Sequence, residues 1–263
     1  MGAPLCLEFS KIFDRTPPSI CHYFALFLAS MTRFSTPTLQ TCLAKVHQPL
    51  YYTSPDGRKF FIKHGEGVTM AEARTQLYFF NQIAARPDIT IRIPEIYHAR
   101  ISRGYERYIV MEYIDVHGFA SLEQRARAIT DLVNIEPPHG ATPGPIGGGR
   151  INTPFLNGLN LLSNTHLHDK SVCYYSDIDR QNFPVDGQGQ VWVVDFEQAG
   201  VLPESFMSFA LDMKFKDPLP PSTYRKDIPI ERTKNLRPMV RAYRILQKAV
   251  DEFGKYKTYF PTP

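Results

Sequence analysis

The stretch of sequence that decides the fold is "YSDIDRQNFPVDGQGQVWVVDFEQAG", residues 175–200. Three polar side chains, Asp177, Asn182 and Asp195, stand in a run that is otherwise rich in strand-forming residues. Between the last two, residues 186–189 ("DGQG") predict a tight turn that joins two short strands. Because a short hairpin brings its two ends together, we expect the side chains of Asn182 and Asp195 to meet at one site.

These residue types in this order indicate phosphoryl-transfer chemistry. Carboxylate and amide oxygens suit Mg²⁺, which takes few protein ligands and leaves positions for phosphate oxygens and water. Asp177 comes just before Asn182 and is placed to accept a proton from an attacking hydroxyl. The order D-x-x-x-x-N followed by D-F-x is the set that protein kinases use for this reaction.

Two charged residues upstream fit the same chemistry. Residues 50–63, "LYYTSPDGRKFFIK", predict a hairpin whose second strand carries Lys63. A helix follows, because Thr69 and Glu72 have the spacing of a capping box. A phosphate-binding lysine on a strand and its glutamate partner on the next helix are expected at such positions. Glu72 therefore has two roles open to it, pairing with Lys63 or bonding back to the Thr69 amide.

The remaining elements divide the chain into a part rich in strands and a part rich in helices. Residues 95–102 and 107–114 predict two strands, so the chain up to Tyr113 is expected to form a small mixed sheet that carries one helix. Ser121 has the spacing of a cap for a second helix, and residues 236–253 predict the last one.

The chain resembles the aminoglycoside phosphotransferase-like (choline-kinase-like) branch of the protein kinase fold, and within it a set of poorly characterised fungal members. This resemblance covers roughly residues 45–212. It implies a two-lobed, protein-kinase-like α+β fold with a small N-terminal sheet lobe and a mostly helical C-terminal lobe. We therefore expect an N-terminal extension at 1–38, the N-lobe at 39–114 and the C-lobe at 115–263. The resemblance rests on "FFIKHG" (60–65), "AEARTQLYFF" (71–80), "YIVMEYI" (108–114), "PGPIGGG" (143–149), "YSDIDRQNF" (175–183) and "VVDFEQAGVLPESFMSFAL" (193–211).

The resemblance also implies roles for single residues, with ATP and Mg²⁺ as the cofactors. Asp177 corresponds to the catalytic base, and Asn182 and Asp195 correspond to the Mg²⁺ ligands. Lys63 corresponds to the residue that holds the α- and β-phosphates, and Glu72 to the residue that orients it. The segment that resembles the hinge between the lobes, whose backbone would contact adenine, comprises Met111, Glu112, Tyr113 and Ile114.

The chain departs from the family pattern in several places. Tyr175-Ser176-Asp177 stands where the family usually has His-Gly-Asp, so the histidine that braces the catalytic loop is missing. Residues 41–50, "TCLAKVHQPL", hold no glycine, so a Gly-rich loop whose amides cover the phosphates is not visible. The segment at 150–170 is short where the resemblance implies helices. Residues 147–149 are three glycines, but no Lys-Ser or Lys-Thr follows them, and we expect a linker there.

Composition argues against membrane, nucleic-acid and secreted classes. The early apolar run, residues 20–31, is shorter than the roughly 18 residues that span a bilayer. The formal net charge is +4, and residues 214–257 carry 12 Lys or Arg against 5 Asp or Glu without a zinc, RNP or basic-helix signature. The four cysteines form no CxxC pair. We expect a cytoplasmic protein that binds neither nucleic acid nor a membrane.

The sequence leaves three interpretations open. The first is an ATP- and Mg²⁺-dependent phosphotransferase that acts on a hydroxyl of a small molecule. Its acceptor is expected to be neutral or anionic, because the basic C-terminal part would repel a polycation. The alternative is a catalytically impaired kinase-like protein that serves as a binding module. The third is a truncated product whose C-lobe core is thin near residues 150–170.

Overall fold

The structure, a computed structural model, describes residues 50–65, 67–101, 107–149, 169–212 and 227–253. The predicted extension at 1–38, the glycine-free segment 41–49 and most of the short segment, residues 150–168, lie outside the described residues. The lobe boundaries and the interpretation as a truncated product therefore stay predictions.

Four strands form the sheet that carries Lys63. They are β1 (Leu50–Thr53), β2 (Lys59–His64), β3 (Ile96–Ile101) and β4 (Arg107–Glu112), in the order β1-β2-β4-β3. All three pairings are antiparallel, so the prediction of a mixed sheet is wrong. The helix connection does join two strands of the same direction, β2 and β3, but β4 lies between them and pairs antiparallel with both.

Helix α1 (Met70–Ala84) begins where its cap predicts. The Thr69 hydroxyl accepts a hydrogen bond from the Glu72 amide at 3.0 Å, which satisfies one of the backbone donors left over at a helix start. Glu72, Phe79 and Ile83 are all buried, as their shared helix face predicts. The first turns of α1 pack on the sheet, where Ala73 joins the buried cluster of Ile109 and Met111.

Strand β5 (Val116–Phe119) and helix α2 (Leu122–Val133) follow the sheet. The capping box is complete, because Ser121 and Gln124 exchange both hydrogen bonds, from the Gln124 amide to the Ser121 hydroxyl and from the Ser121 amide to the Gln124 side chain. Ile129, in the middle of α2, is fully buried. The cap thus fixes the direction in which α2 enters the core.

The described residues after α2 form three further strands and two helices: β6 (Ser171–Tyr175), β7 (Pro184–Asp186), β8 (Ala199–Pro203), α3 (Glu204–Asp212) and α4 (Leu236–Phe253). β6 pairs with β8 and β5 pairs with β7, in both cases antiparallel. Pro184 is tolerated because it is the first residue of its strand, where no ladder N–H is needed. Single turns of 3₁₀ helix at 180–182 and 196–198 place Asn182 and Phe196.

One large hydrophobic core joins these elements. Phe79 of α1 contacts Phe196 with ring centroids 5.3 Å apart, and Ile129 of α2 and Met207 of α3 belong to the same cluster. Because that core holds α1 against the stretch around Asp195, it sets the distance between the two halves of the site. The predicted α+β class, a small sheet followed by a part with more helix, is confirmed. No helix within the described residues has the length and apolar character that a membrane span requires.

Residues 143–149, which include the three glycines for which we expected a linker, form a connection that packs against two elements. The Gly144 amide donates to Val201 O on β8 at 2.8 Å, and the Val201 amide returns the bond. The Ile146 amide donates to the hydroxyl of Thr75, and the guanidinium of Arg74 donates to Gly147 O, so both ends reach α1 and β8. The segment therefore ties α1 to β8, and a Cβ at Gly147 or Gly149 would lie 2.6 or 2.7 Å from side-chain atoms of α1.

Candidate active site

Lys63 lies at the centre of the site and contacts two carboxylates. Its Nζ lies 2.6 Å from Glu72 Oε1 and 2.9 Å from Asp195 Oδ1. The Glu72 side chain is 1% exposed, whereas that of Asp195 is 36% exposed. The lysine thus joins two carboxylates: the buried one on α1 and the half-exposed one of Asp195, which lies 132 residues after Lys63 in the chain.

Local structure explains how Lys63 and Glu72 meet. In β2 the side chains alternate between faces, and Lys63 lies opposite Ile109 on the face that α1 covers. Thr69 caps the helix through the Glu72 amide, which leaves the Glu72 carboxylate to turn toward the sheet. Of the two roles open to Glu72 from the sequence, the structure shows the contact with Lys63.

The electrostatics of the pair depend on burial. Burial works to lower the pKa of Lys63, but Glu72 and Asp195 outweigh it and hold that pKa above its usual value. Burial is also the largest effect on Glu72 and raises its pKa to about 7, against the opposing pull of Lys63. Lys63 therefore stays charged at physiological pH, while Glu72 is poised to take up a proton on mild acidification.

Asn182 is oriented by backbone contacts on both sides of the hairpin. Its side-chain Nδ2 donates to Asp177 O at 3.0 Å, and its own backbone O accepts from the Val194 amide at 3.1 Å. Because the amide nitrogen is engaged in this way, Oδ1 is the atom with which the side chain can bind a cation. The contact with Val194 also places Asn182 beside the residue that precedes Asp195, as the hairpin predicts.

Asp195 adopts a backbone conformation that is unusual for its residue type. Its φ of 63° lies in the left-handed region, and within the described part of the chain no other non-glycine residue has a positive φ. That conformation costs a non-glycine residue on the order of 1–2 kcal/mol, although aspartate tolerates it better than most. Such strain persists only where surrounding contacts hold it, and it is found most often at functional sites.

The environment of Asp177 makes it a stronger base than an ordinary aspartate. Burial raises its pKa, and the nearby carboxylates of Asp195 and Asp179 act in the same direction, whereas a hydrogen bond from Asn182 opposes them. The side chain is half-buried, so it remains accessible to a substrate. A raised pKa favours proton uptake, which is the chemistry expected of a general base.

The segment Met111–Ile114 leaves the sheet at the end of β4. Met111 is buried against α1, where its Sδ lies 3.8 Å from Gln76 Nε2. The Glu112 amide donates to Glu95 O at 2.9 Å and is already engaged. The contact of this segment with adenine, which the resemblance implies, stays a prediction.

Two buried residues near the site were not identified from the sequence. The guanidinium of Arg125 donates to Ile178 O, in the loop after Asp177, at 3.3 Å, although Arg125 is only 3% exposed. A signal existed, because Arg125 falls four residues before Ile129 on the apolar face of α2. Tyr175 is the second residue. It is fully buried, and its hydroxyl donates to Val194 O.

The donor set fits a magnesium ion that is shared with a phosphate-bearing ligand. Within the described ranges, no group of three or more His, Cys, Asp or Glu could hold a metal ion. In phosphoryl-transfer sites Mg²⁺ binds one or two carboxylates plus phosphate oxygens and water, and Asp195 and Asn182 offer a carboxylate and an amide oxygen of this kind. Glu72 and Asp195 both contact Lys63, and Asn182 contacts the backbone of Asp177, so the site gathers oxygen groups that suit a divalent cation.

The relative placement of these groups follows the protein-kinase arrangement. A strand lysine pairs with a glutamate on the next helix, and an aspartate after a hairpin lies within contact distance of that lysine. The α+β class predicted from the sequence is confirmed, and the five residues on which the resemblance to kinases rests lie in one region of the molecule: Lys63, Glu72, Asp177, Asn182 and Asp195.

No protein-family model and no curated protein sequence matches the chain. Among solved structures it is similar to choline kinase LicA from Streptococcus pneumoniae, with 12% identity and a TM-score of 0.48 over 89% of this chain and 94% of that one. It is also similar to the streptomycin–ATP–APH(2")-IIa ternary complex, with 12% identity and a TM-score of 0.46 over 87% of this chain and 92% of that one. A third is an aminoglycoside phosphotransferase from Alicyclobacillus acidocaldarius, with 11% identity and a TM-score of 0.39 over 62% of this chain and 66% of that one. These neighbours are phosphotransferases and kinases, and the narrower resemblance to fungal members is not supported.

Proposed function

We propose that this chain is an ATP- and Mg²⁺-dependent phosphotransferase that acts on a hydroxyl of a small molecule. The observation that carries the proposal is the contact of Lys63 with both Glu72 and Asp195 at 2.6 and 2.9 Å. A lysine that served only to solubilise a strand would project into water, whereas this one lies between two carboxylates from distant parts of the chain. Such an arrangement fits a residue that is oriented to bind phosphate.

Each residue then has a distinct task. Lys63, kept charged by its two carboxylates, binds the phosphates of the nucleotide, and Glu72 holds its ammonium in place. Asn182 and Asp195 would hold Mg²⁺, which when bound would neutralise the charge that develops on the transferred phosphoryl group. Asp177 orients the acceptor hydroxyl and accepts its proton. These tasks require positioning and charge neutralisation and no covalent intermediate on the protein.

The acceptor is proposed to be neutral or anionic. Helix α4 has a positively charged surface. Three of its arginines are exposed at helical spacing: Arg237, Arg241 and Arg244. A polycationic acceptor would be repelled by that surface. The class can be tested by competition among hydroxyl compounds that are matched in size and differ in charge.

We place the protein in a reducing compartment, the cytoplasm. Cys173, which belongs to the described residues, is buried, and burial raises the pKa of its thiol to about 12. A thiol in that environment is inert and serves packing, as expected of a buried cysteine in a reducing compartment.

The decisive experiment measures nucleotide binding and turnover in three proteins. Mg²⁺-ATP is expected to raise the melting temperature of the wild type by several degrees, because a ligand at about 100 times its Kd adds about 2.7 kcal/mol. Asp195→Ala is expected to lose the Mg²⁺-dependent part of that shift. Asp177→Asn is expected to keep the shift and to lose about 10²- to 10⁴-fold in kcat.

The matched control is Asp88→Asn, which removes a carboxylate that is 70% exposed and lies outside the site. It is expected to behave as the wild type in both measurements. If Mg²⁺-ATP produces no shift in the wild type, the proposed function is wrong. If Asp195→Ala turns over ATP as fast as Asp88→Asn does, the assignment of the metal ligand is wrong.

A second function, a kinase-like binding module without turnover, is favoured by one feature of the sequence. Residues 41–50 hold no glycine, so close backbone contacts with the β- and γ-phosphates are not expected from that segment. In this case Mg²⁺-ATP would stabilise the wild type weakly or not at all, and Asp177→Asn would equal the wild type in every assay. Turnover that depends on Asp177 distinguishes the two functions.

A further inference from the structure

Tyr175 occupies the place where the sequence departs from the pattern it resembles. It ends strand β6, two residues before Asp177, and its side chain is fully buried. Its ring packs edge-on against Phe183 and Phe196, with centroids 5.8 and 5.4 Å away. Its hydroxyl donates a hydrogen bond to the backbone oxygen of Val194. The ring is therefore fixed by packing, and the hydroxyl reaches the residue next to Asp195.

The position of this hydrogen bond determines what it can control. Val194 O and the Asp195 amide belong to one planar peptide unit. A bond to that oxygen fixes the orientation of the whole plane, and the orientation of this plane about the N–Cα bond is the φ of Asp195. The Val194 amide is tied separately to Asn182 O at 3.1 Å. The tyrosine and the asparagine thus hold successive peptide planes before the metal-binding position.

The constraint is needed because Asp195 does not adopt its conformation readily. Its φ of 63° places it in the left-handed region, which a residue with a Cβ visits only when its surroundings hold it there. In this conformation Asp195 Oδ1 lies 2.9 Å from Lys63 Nζ. If the plane between Val194 and Asp195 rotated, the carboxylate would move away from the lysine.

The hydroxyl is a permanent donor. Burial holds the pKa of Tyr175 well above its usual value, and the carboxylates of Asp195 and Asp177 raise it further. The phenol therefore keeps its proton at neutral pH and remains a hydrogen-bond donor.

We propose that Tyr175 is a positioning residue whose hydroxyl, through Val194 O, holds the Asp195 carboxylate toward Lys63 and the metal. The inference deepens the proposed function, and its catalytic part rests on that function. The claim that Tyr175 holds the peptide before Asp195 rests on the geometry alone, so it can be tested separately from the claim about catalysis.

The first test is hydrogen exchange followed by mass spectrometry on the wild type, Tyr175→Phe and Tyr78→Phe. Tyr78→Phe is the matched control, because Tyr78 also donates its hydroxyl to a backbone oxygen, Glu136 O at 2.7 Å. Peptides that contain residues 192–197 are expected to exchange about tenfold faster in Tyr175→Phe than in the wild type, the effect of one hydrogen bond. The same peptides are expected to be unchanged in Tyr78→Phe. Equal exchange in all three proteins overturns the proposal.

The second test titrates Mg²⁺ at saturating ATP. Tyr175→Phe is expected to need about tenfold more Mg²⁺ for half-maximal turnover, while the KM for ATP stays within about twofold of the wild type. A variant that was only less stable would show a lower melting temperature and an unchanged requirement for Mg²⁺, and this result overturns the proposal.

Failure of the proposed function gives a different result. If the wild type turns over no ATP, the proposed function is wrong, and the exchange measurement alone decides whether Tyr175 holds the peptide before Asp195. Faster exchange that is confined to residues 192–197 supports the conformational role. Faster exchange throughout the chain, in Tyr175→Phe and Tyr78→Phe alike, overturns it.

Discussion

Replacement of Lys63 by methionine tests the central contact of the site. The substitution removes the ammonium and keeps a side chain of comparable length. Glu72 Oε1 then loses its partner at 2.6 Å, and Oε2 is already buried without a hydrogen-bond partner. Because the side chain of Glu72 is 1% exposed, water cannot replace the lysine readily. The variant therefore contains a buried carboxylate that must either remain charged or take up a proton.

The magnitude depends on pH because Glu72 can take up that proton. Removal of one partner of a fully buried ion pair costs about 3–5 kcal/mol. The pair of Lys63 and Glu72 is only partly buried, because the side chain of Lys63 is 25% exposed, so we expect a smaller cost here. Glu72 has a pKa of about 7 even with the lysine present, above its unfolded value. A raised folded pKa favours the native state below that value and disfavours it as the pH rises through it. We expect a loss of about 2–3 kcal/mol at pH 8 and about 1 kcal/mol at pH 6.

Urea unfolding at pH 6 and pH 8 measures this difference. The double variant Lys63→Met with Glu72→Gln is expected to recover most of the stability lost at pH 8, because a neutral amide is buried at lower cost than a carboxylate. The control Lys59→Met removes an exposed lysine from the same strand and is expected to change stability by less than about 1 kcal/mol at either pH. An equal loss for Lys63→Met at both pH values, or no recovery in the double variant, refutes the reasoning.

Three further predictions concern the fold and the proposed base. Gly200→Ala is expected to lower the free energy of unfolding by about 3 kcal/mol or more, because the new Cβ would lie 2.3 Å from Gly144 O. Thermal melting measures this loss, and Gly118→Ala is the control because no atom lies within 4 Å of its Cβ position. Ser121→Ala is expected to cost about 1 kcal/mol in urea unfolding through loss of the helix cap, and an unchanged midpoint would contradict this. The raised pKa of Asp177 is expected to shift the acid limb of the kcat/KM profile upward from that of an ordinary aspartate, and the limb should disappear in Asp177→Asn.

Much of the fold could be predicted because its signals are local. The spacing of Thr69 and Glu72 predicts the start of α1, and that of Ser121 and Gln124 predicts the start of α2, since a cap involves residues only three apart. The turn at 186–189 likewise predicts the hairpin that brings Asn182 next to Val194. The sheet was predicted less well, because the place of β4 between β2 and β3 depends on contacts between distant segments.

The candidate site was likewise predicted from the sequence only in part. The sequence indicated which residue types carry the chemistry, because their order and spacing follow from the reaction they would perform. It did not indicate Tyr175, because a tyrosine in a strand is ordinarily core, and only the structure shows where its hydroxyl points. Arg125 was missed for a related reason, since its partner Ile178 lies 53 residues away.

The sequence by itself determined the local elements and the identity of Lys63, Glu72, Asp177, Asn182 and Asp195 as candidates. The tertiary structure decided that the carboxylate of Glu72 turns to Lys63 while its amide serves the helix cap. It also decided that Lys63 and Asp195, 132 residues apart, lie within 2.9 Å. The physical reason is that spacing along a chain fixes contacts only within a turn or a hairpin. A contact across the whole domain depends on how one hydrophobic core packs the elements together.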